Sequence, residues 1–166
     1  VNEFSDFARM PKPIFQKNDL IKLLESNIIL LQQLDTQITI NFTKKIDHLN
    51  FNCDGEQLNR VFFNIIKNSI ESIQEKAIKN ANFEKIITIV IKSNSDYITV
   101  IINDNGVGFT EKTIKNISKP YYTTKSNGTG LGLSIVSKII NDHNGTIYFN
   151  NNLNGAAVEI NLPFIK

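Results

Sequence analysis

Hydrophobic positions recur along the chain with two different periods, and the switches between them divide it into elements. Phe4, Phe7 and Met10 stand at helical spacing, and the run stops at Pro11 and Pro13, which cannot continue a helix without losing hydrogen bonds. The first dozen residues therefore predict the tail of a longer helix. After the prolines, Asn18-Asp19 offers a cap for a helix whose Leu20, Ile21, Leu24, Ile28, Leu31 and Leu34 share one face. Over residues 36–45 the period changes: Ile38, Ile40 and Phe42 alternate with polar neighbours, as in a half-buried strand.

The stretch 54–80 predicts the longest helix. At about 100° per residue, Phe62, Ile65, Ile66, Ile70 and Ile73 gather on one side, while Asn64, Asn68, Glu71 and Glu75 fall within about 60° of one another on the other. One face is core and the other is a row of carbonyl and carboxylate oxygens. Strands are predicted over 86–92 and 97–103, joined by the turn-rich Ser93-Asn94-Ser95-Asp96. A helix over about 131–142 and two final strands, 146–150 and 156–162, complete the chain. Helices and strands interleave in one compact unit and successive strands are close enough for hairpins. The expected fold class is therefore α/β (α+β), a two-layer sandwich with helices on one face of a mixed, mostly antiparallel sheet.

Composition narrows the function classes. The 166 residues allow one domain with a sizeable core, and a formal charge of +2 from 18 basic and 16 acidic side chains gives no broad field for a nucleic acid or an anionic membrane. The single cysteine, Cys53, has no internal disulfide partner. No apolar run approaches the roughly 18 residues needed to span a bilayer, and no signal-peptide pattern is present, so a cytoplasmic setting is expected. The richness in Asn is read as compositional drift, with Asn68 the one exception.

Three segments carry chemistry. Asp104-Asn105-Gly106-Val107-Gly108 follows a buried strand. It is good turn chemistry, and equally a place where Asp104 accepts a hydrogen bond from an amino group such as the exocyclic nitrogen of adenine. Gly106 and Gly108, without a Cβ, would let the backbone approach a flat ring. Gly128-Thr129-Gly130-Leu131-Gly132-Leu133 opens a helix, where free N–H groups and the helix dipole attract phosphate. Its spacing is neither the dinucleotide glycine fingerprint nor a P-loop. Asn68 presents a neutral amide oxygen, a suitable anchor for Mg²⁺, which in phosphate sites takes only one or two protein ligands.

In this order the segments resemble a family. Asn64-Ile65-Ile66-Lys67-Asn68-Ser69-Ile70-Glu71-Ser72 is similar to the N box of sensor histidine kinases, and Asp104-Asn105-Gly106-Val107-Gly108-Phe109 to their G1 box. Pro120-Tyr121-Tyr122-Thr123-Thr124-Lys125 resembles the F box, with Tyr where Phe is usual, and residues 128–133 the G2 box. The resemblance covers residues 14–166, and Val1-Asn2-Glu3-Phe4-Ser5-Asp6-Phe7-Ala8-Arg9-Met10-Pro11 resembles the helix end before the catalytic domain of nitrogen-regulation (NtrY-like) kinases. It implies the Bergerat ATP-binding fold (HATPase_c, GHKL superfamily), with ATP and Mg²⁺ as cofactors. By the same resemblance Asn68 is the Mg²⁺ ligand, Asp104 reads adenine, and Gly106 and Gly108 lie beneath the purine. Residues 110–126 form a lid carrying Tyr122, Thr123, Thr124 and Lys125, and Gly128, Thr129, Gly130, Leu131 and Gly132 form its phosphate-side hinge. Asn64 lines the site, Glu71 orients a water or the attacking histidine, and Lys125 and Lys67 reach for phosphates, although both lysines are equally read as solvated. The usual Gly-x-Gly before the last strand is replaced by Leu153-Asn154-Gly155, in a hairpin expected to lie away from the nucleotide boxes.

A kinase of this kind also needs an acceptor histidine followed by an acidic residue. Neither His48, in a loop, nor His143, at a helix end where an imidazole commonly caps carbonyls, fits that role. The expectation is a catalytic domain over residues 14–166 preceded, over 1–13, by the end of the dimerisation and phosphoacceptor helix. Alone it would be a monomer that binds ATP without phosphorylating itself. Its partners would be the dimerisation domain of the same kinase and, indirectly, a response regulator, and neither nucleic acid nor membrane. A parent kinase anchored in the inner membrane is compatible with this. An ATP-hydrolysing clamp, a serine kinase and a catalytically silent nucleotide-binding module are the competing readings. The clamp is disfavoured because Asn64 stands where it would carry a proton-accepting glutamate.

Overall fold

The computed structural model describes residues 10–116 and 132–166. A two-stranded antiparallel ribbon, β1 (Gln16–Asp19) with β3 (Asn50–Cys53), stands beside a five-stranded sheet of order β2-β4-β5-β7-β6. The five strands are β2 (Thr39–Thr43), β4 (Ile86–Ser93), β5 (Tyr97–Asp104), β6 (Thr146–Asn151) and β7 (Ala156–Pro163). Helices α1 (Leu20–Gln32), α2 (Gly55–Lys79) and α4 (Gly132–Asp142) are joined by the short α3 (Glu111–Asn116). Among the described residues only β2 and β4 pair in parallel. The other contacts in the large sheet are antiparallel, and β4–β5 and β6–β7 are the hairpins the turn residues predict.

Alternation along the strands decides which face is covered. Ile87, Ile89 and Ile91 of β4, Ile98, Val100 and Ile102 of β5 and Val158, Ile160 and Leu162 of β7 join one core with Phe62, Ile65, Ile66, Ile70 and Ile73 of α2 and Ile135, Val136, Ile139 and Ile140 of α4. The α2 face computed from its period is thus the buried one. Asp19 caps α1 through a carboxylate that accepts the Ile21 N–H at 3.0 Å, and Asp54 caps α2 by accepting from Gln57 N at 3.1 Å. Glu56 in the first turn of α2 and Lys76 and Lys79 in its last complement the helix dipole.

Three expectations change. The strand expected over 36–45 is confined to Thr39–Thr43. The β1–β3 ribbon was not anticipated, because each strand is four residues long, β1 is polar throughout and β3 alternates only through Phe51 and Cys53. The start of the segment expected to form a lid is a turn of helix, α3, begun by Thr110, whose Oγ1 accepts the Thr113 N–H at 3.1 Å.

Candidate nucleotide site

The end of β5 and the middle of α2 meet at Asp104. Its side chain continues the inward series Ile98, Val100, Ile102 and is only 5% exposed. Oδ1 accepts the N–H of Gly106 at 2.8 Å and that of Ala156 at 3.3 Å, and the Ser69 hydroxyl also bonds the carboxylate. Burial pushes the Asp104 pKa up, and it stays above the usual carboxylate range although Gly106, Ala156, Ser69 and the charge of Lys76 pull the other way. A carboxylate has about four lone-pair directions, so acceptor capacity remains for an amino group. The donor set therefore fits the adenine assignment.

The loop after Asp104 is laid along α2. Val107 N donates to Ser72 Oγ at 3.0 Å and Lys76 Nζ donates to the Asn105 carbonyl at 2.9 Å. A Cβ on Gly106 would stand 2.3 Å from Ser72 Oγ and 2.6 Å from the Ser72 carbonyl carbon. Gly108 has φ +74°, and a Cβ there would meet Asn151 Oδ1 at 3.1 Å. Both glycines are thus required by neighbouring protein, Gly106 by a helix and Gly108 by its own backbone and the β6–β7 hairpin, which is a nearer reason than the approach of a ring.

That hairpin corrects a further expectation. Far from lying away from the G1 segment, it holds it. A Cβ on Gly155 would stand 2.4 Å from the Asp104 carbonyl oxygen and 2.8 Å from Gly106 N. Asn152 accepts from Asn154 N at 2.8 Å and Gly155 N at 2.7 Å, which shapes the turn, and its amide lies 3.3 Å from the Asp104 carbonyl. Asn151 bonds both backbone groups of Phe109. Asn105, on the G1 segment itself, accepts from Ile86 N at 3.0 Å and donates to the Glu84 carbonyl at 2.5 Å. Asn68 is therefore not the one asparagine with a positional role.

Asn64, Asn68 and Glu71 are half-buried on α2, Asn68 next to Ser69 in sequence and Glu71 next to Ser72, with Asn64 one turn before Asn68. Lys67 is exposed, with its ammonium 5.9 Å from the centroid of the Phe63 ring on the same helix. Gly132 begins α4, and among the described residues nothing lies within 4 Å of where its Cβ would be. Tyr121, Tyr122, Thr123, Thr124, Lys125, Gly128, Thr129, Gly130 and Leu131 lie outside the described residues, as do residues 1–9. No group of three or more His, Cys, Asp or Glu among the described residues is arranged to hold a metal. A Mg²⁺ ion anchored by Asn68 would draw its other ligands from phosphate and water.

Both histidines are accounted for. His143 is buried: its Nδ1 lies 2.8 Å from the Ile139 carbonyl and its Nε2 accepts the Asp54 N–H at 3.0 Å. The capping role expected of it is the one it has. His48 pairs through Nδ1 with Asp19 at 2.8 Å from the loop between β2 and β3.

Comparison with known proteins agrees with this geometry. Residues 53–166 match the family model described as histidine kinase-, DNA gyrase B-, and HSP90-like ATPase. A putative sensor histidine kinase NtrY-like of Rickettsia prowazekii (strain Madrid E) is 36% identical over 96% of this chain and 26% of its own length. The nitrogen regulation protein NtrY of Azorhizobium caulinodans is 30% identical over 98% of this chain and 21% of its own length, so the chain spans about a quarter of such relatives. Among solved structures, the nucleotide-free catalytic domain of histidine kinase ThkA superposes with a TM-score of 0.80 at 26% identity, covering 92% of this chain and 97% of that one. With its helix layer over a mixed sheet and its buried carboxylate at the end of β5, the chain belongs to the family of histidine kinase-, DNA gyrase B- and HSP90-like ATPases.

Proposed function

We infer that residues 14–166 are the ATP-binding catalytic domain of a two-component sensor histidine kinase of the nitrogen-regulation branch, and that residues 1–13 lead to it from a dimerisation helix. The observation that carries the site assignment is Asp104, a buried carboxylate at a strand end, backed by two glycines and flanked by the oxygen-bearing face of α2. Asp104 accepts a hydrogen bond from the adenine amino group, with Gly106 and Gly108 shaping the loop around the base. Asn68 holds the metal, and Asn64, Glu71 and Lys67 line the phosphate side. Tyr122, Thr123, Thr124 and Lys125 close over the nucleotide, and Gly128, Thr129, Gly130, Leu131 and Gly132 present backbone N–H groups to phosphate at the start of α4. Bound Mg²⁺ would neutralise phosphate charge.

The reaction is phosphoryl transfer by positioning. An imidazole nitrogen of the dimerisation domain forms a bond to the γ-phosphorus as the bond to the bridging oxygen breaks, and ADP leaves. Glu71 orients the attacking imidazole. The phosphohistidine then passes its phosphoryl group to a response regulator. Among the described residues no helix is long and apolar enough to cross a membrane, and the domain is proposed to work in the cytoplasm as a monomer until it meets its dimerisation domain.

Incubation with γ-labelled ATP and a separately purified dimerisation domain tests this reading. Label on the histidine of that domain supports the kinase. Free phosphate without labelled protein supports a hydrolase, and neither product supports a nucleotide-binding module.

A further inference from the structure

We propose that Asn151 is a positioning residue for the nucleotide base: through the backbone of Phe109 it fixes the loop that begins with Asp104, and so contributes to selecting adenine over guanine. The inference rests on the nucleotide reading of Asp104.

The bonding is two-handed. Asn151 Oδ1 accepts the Phe109 N–H at 2.7 Å and Nδ2 donates to the Phe109 carbonyl at 2.6 Å. Phe109 offers one donor and one acceptor, so only one orientation of the amide serves both, and an aspartate or an alkyl side chain serves at most one. The arrangement imitates a rung of a sheet, with a side chain in place of a second strand. It falls directly after Gly108, whose φ of +74° turns the chain. The Phe109 ring is fixed as well, edge-on to Phe149 of the same hairpin with centroids 6.3 Å apart.

The other end of the loop is held from the same rung. Asn151 is the register partner of Ala156 across β6–β7, and it is the Ala156 N–H that donates to Asp104 Oδ1 at 3.3 Å. One pair of hairpin residues therefore grips the loop at Asp104 and at Phe109. Between these points, Val107 is tied to Ser72 of α2. Releasing Phe109 frees the side of the loop away from α2, where Gly108 stands, while leaving the Asp104 carboxylate and its buried partners in place. Adenine offers an amino donor where guanine offers a carbonyl. Discriminating between them requires the base to be held in register with a carboxylate, and a loosened loop relaxes that register before it abolishes binding.

Isothermal titration of the full chain with ATP, GTP and adenosine tests the proposal, with Asn151→Ala and Asn151→Asp as variants and Asn150→Ala, on the neighbouring exposed position, as control. The expected result is an ATP preference in the wild-type chain that narrows about tenfold in both Asn151 variants, with adenosine weakened by the same factor as ATP and the control unchanged. Asn151→Asp keeps one acceptor and its fold if Asn151→Ala melts too early. A structural role alone would lower the melting temperature without moving the ATP to GTP ratio measured well below it. Combining Asp104→Asn with Asn151→Ala provides the coupling: because Asn151 acts through the Asp104 loop, the double variant should discriminate no less than Asp104→Asn alone. An unchanged ratio in the folded Asn151 variants overturns the proposal while leaving the nucleotide site intact. A wild-type chain without ATP preference, or a preference that survives Asp104→Asn, overturns the nucleotide reading itself and the proposal with it.

Discussion

The Asp54 N–H donates to Nε2 of His143 at 3.0 Å, which ties the residue just before α2 to the residue just after α4. Nδ1 of the same ring bonds the Ile139 carbonyl, and the Phe15 ring packs edge-on at 5.2 Å. Asp54 in turn accepts from Ile14 N at 2.9 Å and from Gln57 N at 3.1 Å. The segment entering the domain, the helix with Asn68 and the helix opening with Gly132 therefore converge on one imidazole. Substituting His143→Phe keeps the ring but leaves the Asp54 N–H without its acceptor, while the Ile139 carbonyl keeps only the backbone N–H of residue 143. Urea unfolding should show a loss of about 1–3 kcal/mol, and His143→Gln, which retains a donor and an acceptor, should lose less. Equal losses would mean that ring packing, not hydrogen bonding, holds the joint.

Asp104 is placed for chemistry at some cost to stability. Burial raises its folded pKa, so the folded chain binds a proton more tightly than the unfolded chain. Its contribution is fully present below the unfolded carboxylate pKa and is lost as pH rises through the raised folded value. Asp104→Asn retains an oxygen to accept from Gly106 and Ala156 while removing the buried charge. Melting curves across pH should show the variant at least as stable as wild type at neutral pH and without that decline. Its ATP affinity should fall by about tenfold or more, since an amide cannot supply a charged acceptor. A variant that melts earlier at neutral pH, or binds ATP unchanged, would contradict this.

Asp19 behaves in the opposite sense. Burial works to raise its pKa, but hydrogen bonds from Leu49 N, His48 and Ile21 N and the charge of His48 outweigh it, and the net shift is downward. Its contribution is thus present above the unfolded carboxylate pKa and lost as pH falls through the lowered folded value. Asp19→Ala removes the cap of α1 and should cost about 1–2 kcal/mol at neutral pH. Asp19→Asn keeps the cap and should flatten only the acid limb of the stability profile. An acid limb unaltered in Asp19→Asn would assign it to other carboxylates.

Cys53 is fully buried on β3, and burial pushes its thiol up to about 12, above the ordinary cysteine value. The thiolate is the reactive form, so an aromatic disulfide reagent at pH 8 should label the folded chain slowly and the urea-unfolded chain at once. Fast labelling of the folded chain would show that the β1–β3 ribbon opens readily.

How far these features were legible in the sequence follows from their range. The α2 faces were readable because a long helix repeats its period many times, and Phe62, Ile65, Ile66, Ile70 and Ile73 are buried as that period requires. The hairpins were readable from turn residues such as Asn94, whose Oδ1 accepts from Asp96 N and Tyr97 N, both at 2.8 Å. The β1–β3 ribbon was not, because Gln16 pairs with Cys53 across a long intervening segment, β1 is wholly polar and the Phe51 and Cys53 alternation of β3 is too short to stand out. The role of Asn151 was invisible for the same reason: a side chain that bonds a backbone group 42 residues away leaves no local signature. Asp104 and its glycines stood out by motif, but that Gly106 makes room for Ser72 is a fact of packing.

Glycine substitutions separate these two kinds of reason. Gly155→Ala would bring a Cβ within 2.4 Å of the Asp104 carbonyl oxygen and 2.9 Å of Asn105 Cα, all backbone, so the hairpin or the G1 loop must shift. Gly132→Ala meets nothing within 4 Å among the described residues, and alanine suits the first position of a helix at least as well as glycine. The expected outcome is that Gly155→Ala lowers both melting temperature and ATP affinity, although it lies outside the segments that resemble nucleotide boxes. Gly132→Ala should leave the melting temperature unchanged or raised, so any loss of ATP affinity there reports space needed by the ligand and not by the fold. If Gly132→Ala binds ATP as well as wild type, close phosphate approach at that residue is excluded. If Gly155→Ala binds normally with an unaltered melting temperature, the contact between hairpin and loop does not control the site.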